Sequence, residues 1–288
     1  MGSRALVAHL AAVLVFAVAA RGEEGNEVAL DLYRGYVVVV RGSIGSLQNL
    51  NFVVDTGAVP TVVDRRIARK HRLRGGVERL SVFTGNVEAE RVILPDIRVG
   101  KCRADSLAVL VRDLSFIKDA LGVRVDALVG LDFLGRSDFT LDYAAKKMIF
   151  GPVDRSVPAA SFVPGHPYAV VKLQTETRPL YLMVDTGTKD LILFEGRVRG
   201  WLQPARVGAS KAASNMGGEV ALHQVLLDGL RLGNVTLPTQ TAFITDTGDG
   251  KGPGFDGLLG VATLQAKRIG FDFRRSLIAW ESALDDAE

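Results

Sequence analysis

Residues 51–64 read N-F-V-V-D-T-G-A-V-P-T-V-V-D, and residues 181–194 read Y-L-M-V-D-T-G-T-K-D-L-I-L-F. Both stretches place Asp-Thr-Gly between two apolar runs, so Asp55 and Asp185 each follow an apolar segment. A carboxylate is costly to bury unless a partner or a proton compensates its charge. Two such aspartates in one chain indicate that their carboxyl groups have a joint task.

The offset between the two motifs recurs elsewhere in the chain. Residues 125–130, V-D-A-L-V-G, correspond to residues 255–260, F-D-G-L-L-G, 130 positions later. Residues 139–150, F-T-L-D-Y-A-A-K-K-M-I-F, correspond at the same offset to residues 269–280, I-G-F-D-F-R-R-S-L-I-A-W. Separated landmarks that keep one offset indicate an internal duplication.

The duplication predicts two lobes, residues 27–150 and 168–284. Residues 151–167 hold four of the ten prolines, and proline breaks both helices and sheet ladders, so they are interpreted as an interlobe linker. Short β-branched runs bounded by turn residues predict two mainly β lobes. The predicted strands are residues 36–40, 51–54, 59–63, 91–94, 168–173, 180–184 and 191–194, with one helix over residues 65–72 that begins at Asp64 as N-cap.

Bulk composition excludes several classes of function. The chain has 288 residues, enough for two lobes with their own cores. A net charge of +3 is too small to indicate nucleic-acid binding. Cys102 is the only cysteine, so no intrachain disulfide can form.

The N-terminal residues have the pattern of a secretory signal. Arg4 precedes an apolar run over residues 5–20 that ends in small residues, which predicts a signal peptide over residues 1–22. The run is short for a membrane span, although an uncleaved anchor stays an alternative. We therefore expect an exported protein, periplasmic or secreted, with no stable membrane span after signal cleavage.

Two close carboxyl groups can supply both an acid and a base. Like charges resist double ionisation, so one pKa rises, the other falls, and the pair titrates as a unit. Such a pair can activate water against a peptide bond, with Asp55 and Asp185 as the catalytic residues. The neighbouring residues fit this use as loop support: Thr56, Gly57, Ala58, Thr186, Gly187 and Thr188, with Gly130 and Gly260 where a second strand would pass close behind each loop.

On these residues the chain resembles the retropepsin-like aspartic proteases in a single-chain, two-lobe form. The resemblance rests on the doubled D-T-G motif, at Asp55 and Asp185, and on the later L-V-G and L-L-G elements that end at Gly130 and Gly260. It implies a closed-barrel-like fold for each lobe, catalysis by the two aspartates in the cleft between the lobes, and a β-hairpin flap over that cleft. It also implies a peptide or protein substrate, a monomer, and no metal or organic cofactor, because water is the nucleophile.

The resemblance has departures in the flaps and in the motifs. The candidate flap residues lack the tyrosine of pepsin-like enzymes, and a second flap-like segment stands in lobe two. Ala58 replaces the serine that is usual in the first pepsin motif, whereas Thr188 follows the second motif, so we expect Asp185 to be the more readily ionised. The flap candidates are Phe83, Thr84 and Gly85 in lobe one and Met216, Gly217 and Gly218 in lobe two.

Other patterns have less specific interpretations. A third Asp-Thr-Gly at Asp246 has no apolar strand after it and is interpreted as a loop. Residues 65–74, R-R-I-A-R-K-H-R-L-R, are interpreted as a solvated helix face, with an anionic envelope surface or an acidic partner as the alternative. A non-catalytic peptide-binding module and an envelope scaffold remain alternatives to the protease.

Overall fold

The structure is a computed structural model that describes residues 25–82, 85–202, 205–206, 211–215, 218–245 and 254–283. The protein is mainly β, as the sequence predicts. The described residues form one sheet of 13 strands and one of 10 strands. The predicted signal segment, residues 1–22, and Asp246 of the third Asp-Thr-Gly lie outside the described residues.

The described residues of the first half form strands of 3 to 15 residues and three brief helices. The helices are α1 (Arg65–Lys70), α2 (Ser115–Leu121) and α3 (Leu131–Leu134). None of the described helices, here or in the second half, is long and apolar enough to cross a bilayer. The strands are β1 (Glu27–Tyr33), β2 (Val37–Ile44), β3 (Leu47–Val54), β4 (Val62–Asp64), β5 (Gly76–Val82), β6 (Gly85–Val99), β7 (Cys102–Arg112), β8 (Ala127–Val129), β9 (Phe139–Asp142) and β10 (Lys147–Phe150).

The described residues of the second half also form mostly strands, with brief helical segments between them. Its described helices are α4 (Glu195–Val198) and a 3₁₀ turn (Val261–Leu264). Its strands are β11 (Ala159–Ser161), β12 (Val170–Gln174), β13 (Leu180–Asp185), β14 (Leu191–Phe194), β15 (Ala205–Arg206), β16 (Lys211–Asn215), β17 (Gly218–Leu227), β18 (Arg231–Leu232), β19 (Val235–Thr236), β20 (Gln240–Thr245), β21 (Gly257–Gly260), β22 (Ala266–Asp272) and β23 (Leu277–Ser282).

One arrangement of four strands occurs in both halves and positions the two motifs. In the first half β3 is parallel to β8, β8 is antiparallel to β4, and β4 is parallel to β7. In the second half β13, β21, β14 and β20 pair in the same way. Asp55 directly follows β3 and Asp185 is the last residue of β13. Each aspartate therefore stands where a strand in the middle of its sheet ends.

The last hairpin of the chain belongs to the sheet of the first half. Strand β22 pairs with β9, and the rings of Phe139 and Phe271 stack across this pairing with centroids 4.9 Å apart. Strand β11 lies inside residues 151–167, predicted as a linker, and pairs with β23. Backbone hydrogen bonds and buried aromatic rings therefore join the two halves at a continuous sheet.

Two long hairpins surround the flap candidates. Strands β5 and β6 pair as far as Val82 and Gly85, and strands β16 and β17 pair as far as Asn215 and Gly218. Gly85 and Gly218 are the first residues of β6 and β17. The other four candidates, at the hairpin tips, lie outside the described residues: Phe83, Thr84, Met216 and Gly217.

The predicted helix after the first motif is confirmed at its start and is shorter at its end. The Asp64 carboxylate accepts a hydrogen bond from the Arg66 amide at 2.9 Å, as an N-cap does. The helix ends at Lys70 rather than residue 72, because Arg72 has a φ of +53°, which leaves the helical region. The strand predicted over residues 59–63 begins only at Val62, since the Thr61 amide donates to the Asp132 carboxylate instead of a strand.

Candidate active site

The carboxyl groups of Asp55 and Asp185 face each other where the two halves meet. The Gly57 amide donates to Asp55 Oδ1 at 2.9 Å, and the Gly187 amide donates to Asp185 Oδ1 at 2.8 Å. A Cβ built on Gly57 would stand 2.6 Å from Asp185 Cγ, and one built on Gly187 would stand 3.1 Å from Asp55 Cγ. Each motif glycine therefore leaves the space that the carboxyl group of the other half occupies.

The two motif threonines hold the halves together by reciprocal hydrogen bonds. Thr56 Oγ1 donates to the Val184 carbonyl and Thr186 Oγ1 donates to the Val54 carbonyl, each at 2.8 Å. Each hydroxyl oxygen also accepts the amide of the opposite threonine. The Thr56 amide donates to Thr186 Oγ1 at 3.0 Å, and the Thr186 amide donates to Thr56 Oγ1 at 3.1 Å. Both side chains are fully buried, so the four hydrogen bonds satisfy groups that water cannot reach.

The glycine predicted behind each loop lies in close backbone contact with it. A Cβ on Gly130 would overlap the Ala58 carbonyl oxygen, which accepts the Leu131 amide at 3.0 Å. A Cβ on Gly260 would overlap the backbone of Lys189 and Asp190. Since no side chain fits at either position, each motif loop rests directly on the strand behind it.

The two carboxyl groups are electrostatically unequal. Burial, followed by the charge of Asp185, holds the pKa of Asp55 well above its usual range. Burial also raises the pKa of Asp185, but the Thr188 hydroxyl, which donates to Asp185 Oδ2 at 2.9 Å, opposes this rise. Ala58 has no hydroxyl at the corresponding place. The proton of the pair is therefore favoured on Asp55 and the negative charge on Asp185.

A second pair of aspartates binds the strands that lead into the two motifs, and sequence reasoning named them only as landmarks of the repeat. Asp126 Oδ2 accepts the Asn51 amide and Asp256 Oδ2 accepts the Tyr181 amide, each at 2.9 Å. The two carboxylates have arginine partners, Arg66 at 3.5 Å and Arg197 at 3.3 Å. Their shared offset of 130 residues was the signal that could have assigned them a common structural role.

Sequence analysis did not identify two tyrosines whose pKa values are raised by burial and by the charges of Asp55 and Asp185. Burial raises the pKa of Tyr36, and the charges of Asp190 and Asp185 raise it further against the opposing charge of Arg34. Burial, followed by the charge of Asp55, raises the pKa of Tyr168. Each tyrosine therefore feels the carboxyl group of the opposite half. Tyr36 and Tyr168 lie just before the corresponding strands β2 and β12. In a single sequence, this shared position is only a weak indication of their relation to Asp55 and Asp185.

Other groups with reactive chemistry are unsuited to a role here. Cys102 is buried with its Sγ 3.8 Å from the Phe133 carbonyl oxygen, and burial raises its pKa to about 11. Thiolate is the nucleophilic form, so this thiol is inert at neutral pH. Within the described ranges, no group of three or more His, Cys, Asp or Glu side chains could hold a metal ion.

The geometry supplies a general acid and a general base side by side. A protonated carboxyl group can donate to a carbonyl oxygen while an adjacent carboxylate accepts a proton from water. The motif amides orient each carboxyl group from its own side, and the threonine hydrogen bonds limit how far the two can separate. Such a pair can catalyse addition of water to a carbonyl carbon.

Comparison with known proteins confirms the resemblance seen in the sequence. Residues 40–133 match the family model described as aspartyl protease, which supports assignment to the retropepsin-like aspartyl proteases. The matched residues include Asp55, Thr56 and Gly57 and end after Gly130, so the second motif at Asp185 lies beyond them. No curated protein matches the chain.

The threonine hydrogen bonds predict a specific loss of stability. In Thr56→Val the missing hydroxyl leaves the Thr186 amide and the Val184 carbonyl buried and unpaired, so we expect the free energy of unfolding to fall by about 2–4 kcal/mol. Thr56→Ser keeps the hydroxyl and should lose less than about 1 kcal/mol, mainly from one methyl group. Chemical denaturation measures both values. Equal losses in the two variants would contradict a role for the hydroxyl.

Proposed function

We propose that the protein is an aspartic-type endopeptidase that hydrolyses peptide bonds through a water molecule activated by Asp55 and Asp185. The observation that carries the proposal is the reciprocal placement of the two carboxyl groups. Each is held by the amide of its own motif glycine and faces the motif glycine of the other half. The aspartyl protease match over the first motif supports the same reaction class.

In the proposed mechanism the two carboxyl groups have different tasks. The Asp185 carboxylate takes a proton from water as the oxygen attacks the scissile carbonyl carbon, and the Asp55 carboxyl gives its proton to the carbonyl oxygen. The tetrahedral diol then collapses. Asp185, which now holds the proton from water, protonates the departing amine as the C–N bond breaks. The Asp55 carboxylate takes a proton from the diol, so the pair again shares one proton. The Thr188 hydrogen bond to Asp185 supports this assignment of roles.

We further propose that each half is a closed-barrel lobe and that the lobes arose by internal duplication. The identical pairing pattern of the four motif strands in both halves supports the duplication. In the first half β6 also pairs with β2, through Ser43 with Arg98 and Ile44 with Ile97, which supports barrel closure there. Duplicated lobes would allow one chain to supply both aspartates and to work as a monomer.

The substrate is proposed to be an extended peptide or protein segment that binds in the cleft between the lobes. The β5–β6 and β16–β17 hairpins are proposed as flaps over the dyad, one from each half. An extended segment exposes its backbone amides and carbonyls, which hairpins can pair with as added strands. A cleft bounded by two hairpins therefore favours unfolded substrates over folded ones.

We also propose export, on the basis of the apolar run over residues 5–20. Intact-mass measurement of protein from an envelope or medium fraction should give a mature N-terminus near Arg21 or Glu23. A mass that retains residues 1–20 would contradict cleavage of a signal peptide.

The dyad predicts a characteristic pattern of lost activity. Asp55→Asn and Asp185→Asn should each lower the rate of cleavage of a denatured protein by at least ~100-fold, because each removes the general acid or the general base. The double variant should be barely slower than either single variant, since the two groups act as a unit. The assay spans about pH 3 to 7, with and without a statine inhibitor.

Two variants serve as controls for the loss of the dyad. Asp246→Asn alters the third Asp-Thr-Gly, and Asp113→Asn alters an exposed carboxylate; both should keep the rate within about threefold. Retained activity in Asp185→Asn would contradict the proposed site. Absence of any inhibitor-sensitive cleavage by the unaltered protein would favour a non-catalytic peptide-binding module or an envelope scaffold.

The inequality of the two carboxyl groups predicts opposite changes in the pH profile. Thr188→Ala removes the donor that favours ionised Asp185, so the pKa of Asp185 should rise and the acid limb of kcat/KM should move up by about one pH unit. Ala58→Ser should add a donor beside Asp55, which lowers its pKa and moves the alkaline limb down. Movement of the alkaline limb by Thr188→Ala instead would contradict the assignment of Asp185 as the base.

A further inference from the structure

Residues 65–74 form a basic segment that runs along α1 and past its end. Arg69, Lys70, Arg72 and Arg74 are all exposed, while Ile67 and Ala68 are buried beneath them. Only Arg69 and Lys70 lie in the last turn of the helix, where positive charge offsets the helix dipole. Helix stabilisation therefore leaves Arg72 and Arg74 unexplained.

The charges of the basic segment are not neutralised within the part of the chain that the structure describes. None of the four exposed cations over residues 69–74 has a carboxylate within ion-pair distance there, whereas Arg66, on the inner side, pairs with Asp64 at 2.7 Å. Neighbouring carboxylates are engaged elsewhere: Glu90 accepts the Gly75 amide at 2.8 Å, and Glu78 pairs with Arg91. The segment thus presents four cations within six residues to solvent.

The first described residue, Gly25, lies on the same part of the fold as this segment. Gly25 packs against Gly100 in the turn between β6 and β7, where a Cβ on Gly100 would stand 3.1 Å from the Gly25 carbonyl oxygen. Three residues back along β6, about 10 Å, Ile97 pairs with Ile44, whose carbonyl oxygen lies 3.0 Å from His71 Nε2. In a chain that keeps its signal segment, the apolar run of residues 5–20 would therefore end only a few residues before this entry point at Gly25.

Two more unpaired cations flank the entry point. Lys101 follows Gly100 directly and is exposed, and it lines an open hollow of about 520 Å³ together with Arg136. Arg136 Nε donates to the uncharged Asp132 carbonyl, and neither cation has a carboxylate partner among the described residues. The positive charge therefore extends past the entry point.

An exposed apolar side chain follows the basic segment in the chain and lies opposite Glu90 in the β5–β6 hairpin. Val77, the second residue of β5, is 71% exposed three residues after Arg74. Apolar side chains next to clustered Lys and Arg are typical of surfaces that lie at the interface of a bilayer. An acidic protein partner would account for the charges but not for the exposed Val77.

We propose that the basic segment is a docking surface for an anionic lipid membrane. Lipid phosphates would neutralise Arg69, Lys70, Arg72 and Arg74, and Val77 would enter the headgroup layer. Clustered basic residues bind anionic leaflets in this way, and the attraction weakens with salt. The docked protein would hold the base of the β5–β6 hairpin at the membrane and its tip about 20 Å away, since six residue steps separate them.

Co-sedimentation with lipid vesicles tests the proposal independently of proteolysis. The purified protein is mixed with vesicles of phosphatidylcholine that contain about 30% phosphatidylglycerol, and with vesicles of phosphatidylcholine alone. We expect binding to the anionic vesicles that weakens as salt is raised. In the triple variant Arg69→Gln, Lys70→Gln and Arg74→Gln the partition coefficient should fall about 100-fold, because each basic residue at such a surface contributes about fivefold.

A matched control distinguishes the contribution of the basic segment to binding from the contribution of net charge. Arg155→Gln, Lys172→Gln and Arg231→Gln together remove the same three charges from exposed positions elsewhere and should change binding by less than about threefold. Equal losses in the two triple variants would overturn the proposal in favour of net charge. Binding that ignores phosphatidylglycerol and survives in the first variant would assign the contact to the apolar N-terminal run. Binding to polyglutamate but not to anionic vesicles would assign the segment to an acidic protein partner.

Discussion

The reciprocal hydrogen bonds between Thr56 and Thr186 are the constraint on which the rest of the site depends. Each hydroxyl donates to a strand end of the other half and accepts the opposite threonine amide. All of these groups are buried, so separation of the halves would break four hydrogen bonds and leave six polar groups without these partners. The motif loops are therefore held at one distance, which brings Asp55 and Asp185 together. The glycine beside each threonine is required because the opposite carboxyl group takes the space of a side chain.

Proximity then makes the two carboxyl groups unequal. Two carboxylates in contact, one buried and one half-buried, cannot both be ionised at ordinary cost, so one must hold a proton. The motif-glycine amide of each loop donates to its own acid in the same way, but the residue directly after the motif is Ala58 in one loop and Thr188 in the other, where the hydroxyl donates to Asp185. A single hydroxyl thus biases which acid donates and which accepts. The chemical asymmetry that hydrolysis needs comes from a side chain on a nearly symmetric scaffold.

Much of the site was predictable because its residues lie next to one another in the chain. The doubled motif, the glycines behind it and the N-cap Asp64 all act through backbone geometry within a few residues or through the repeat offset. Asp126 and Asp256 were visible as landmarks of the repeat, but their role depends on amides 75 residues earlier in the chain. The tyrosines Tyr36 and Tyr168 were missed because their relation to the dyad crosses from one half to the other.

The sequence by itself determined a mainly β chain, two Asp-Thr-Gly loops after apolar strands, and their resemblance to the aspartyl proteases. These follow from local side-chain chemistry and from an offset that survives in the printed sequence. Only the tertiary structure decided that β22 joins β9 and that β11 in the proline-rich stretch is a strand. Strand pairing and burial depend on which distant segments compete for the same partner and the same core. That competition is settled only when the whole chain packs.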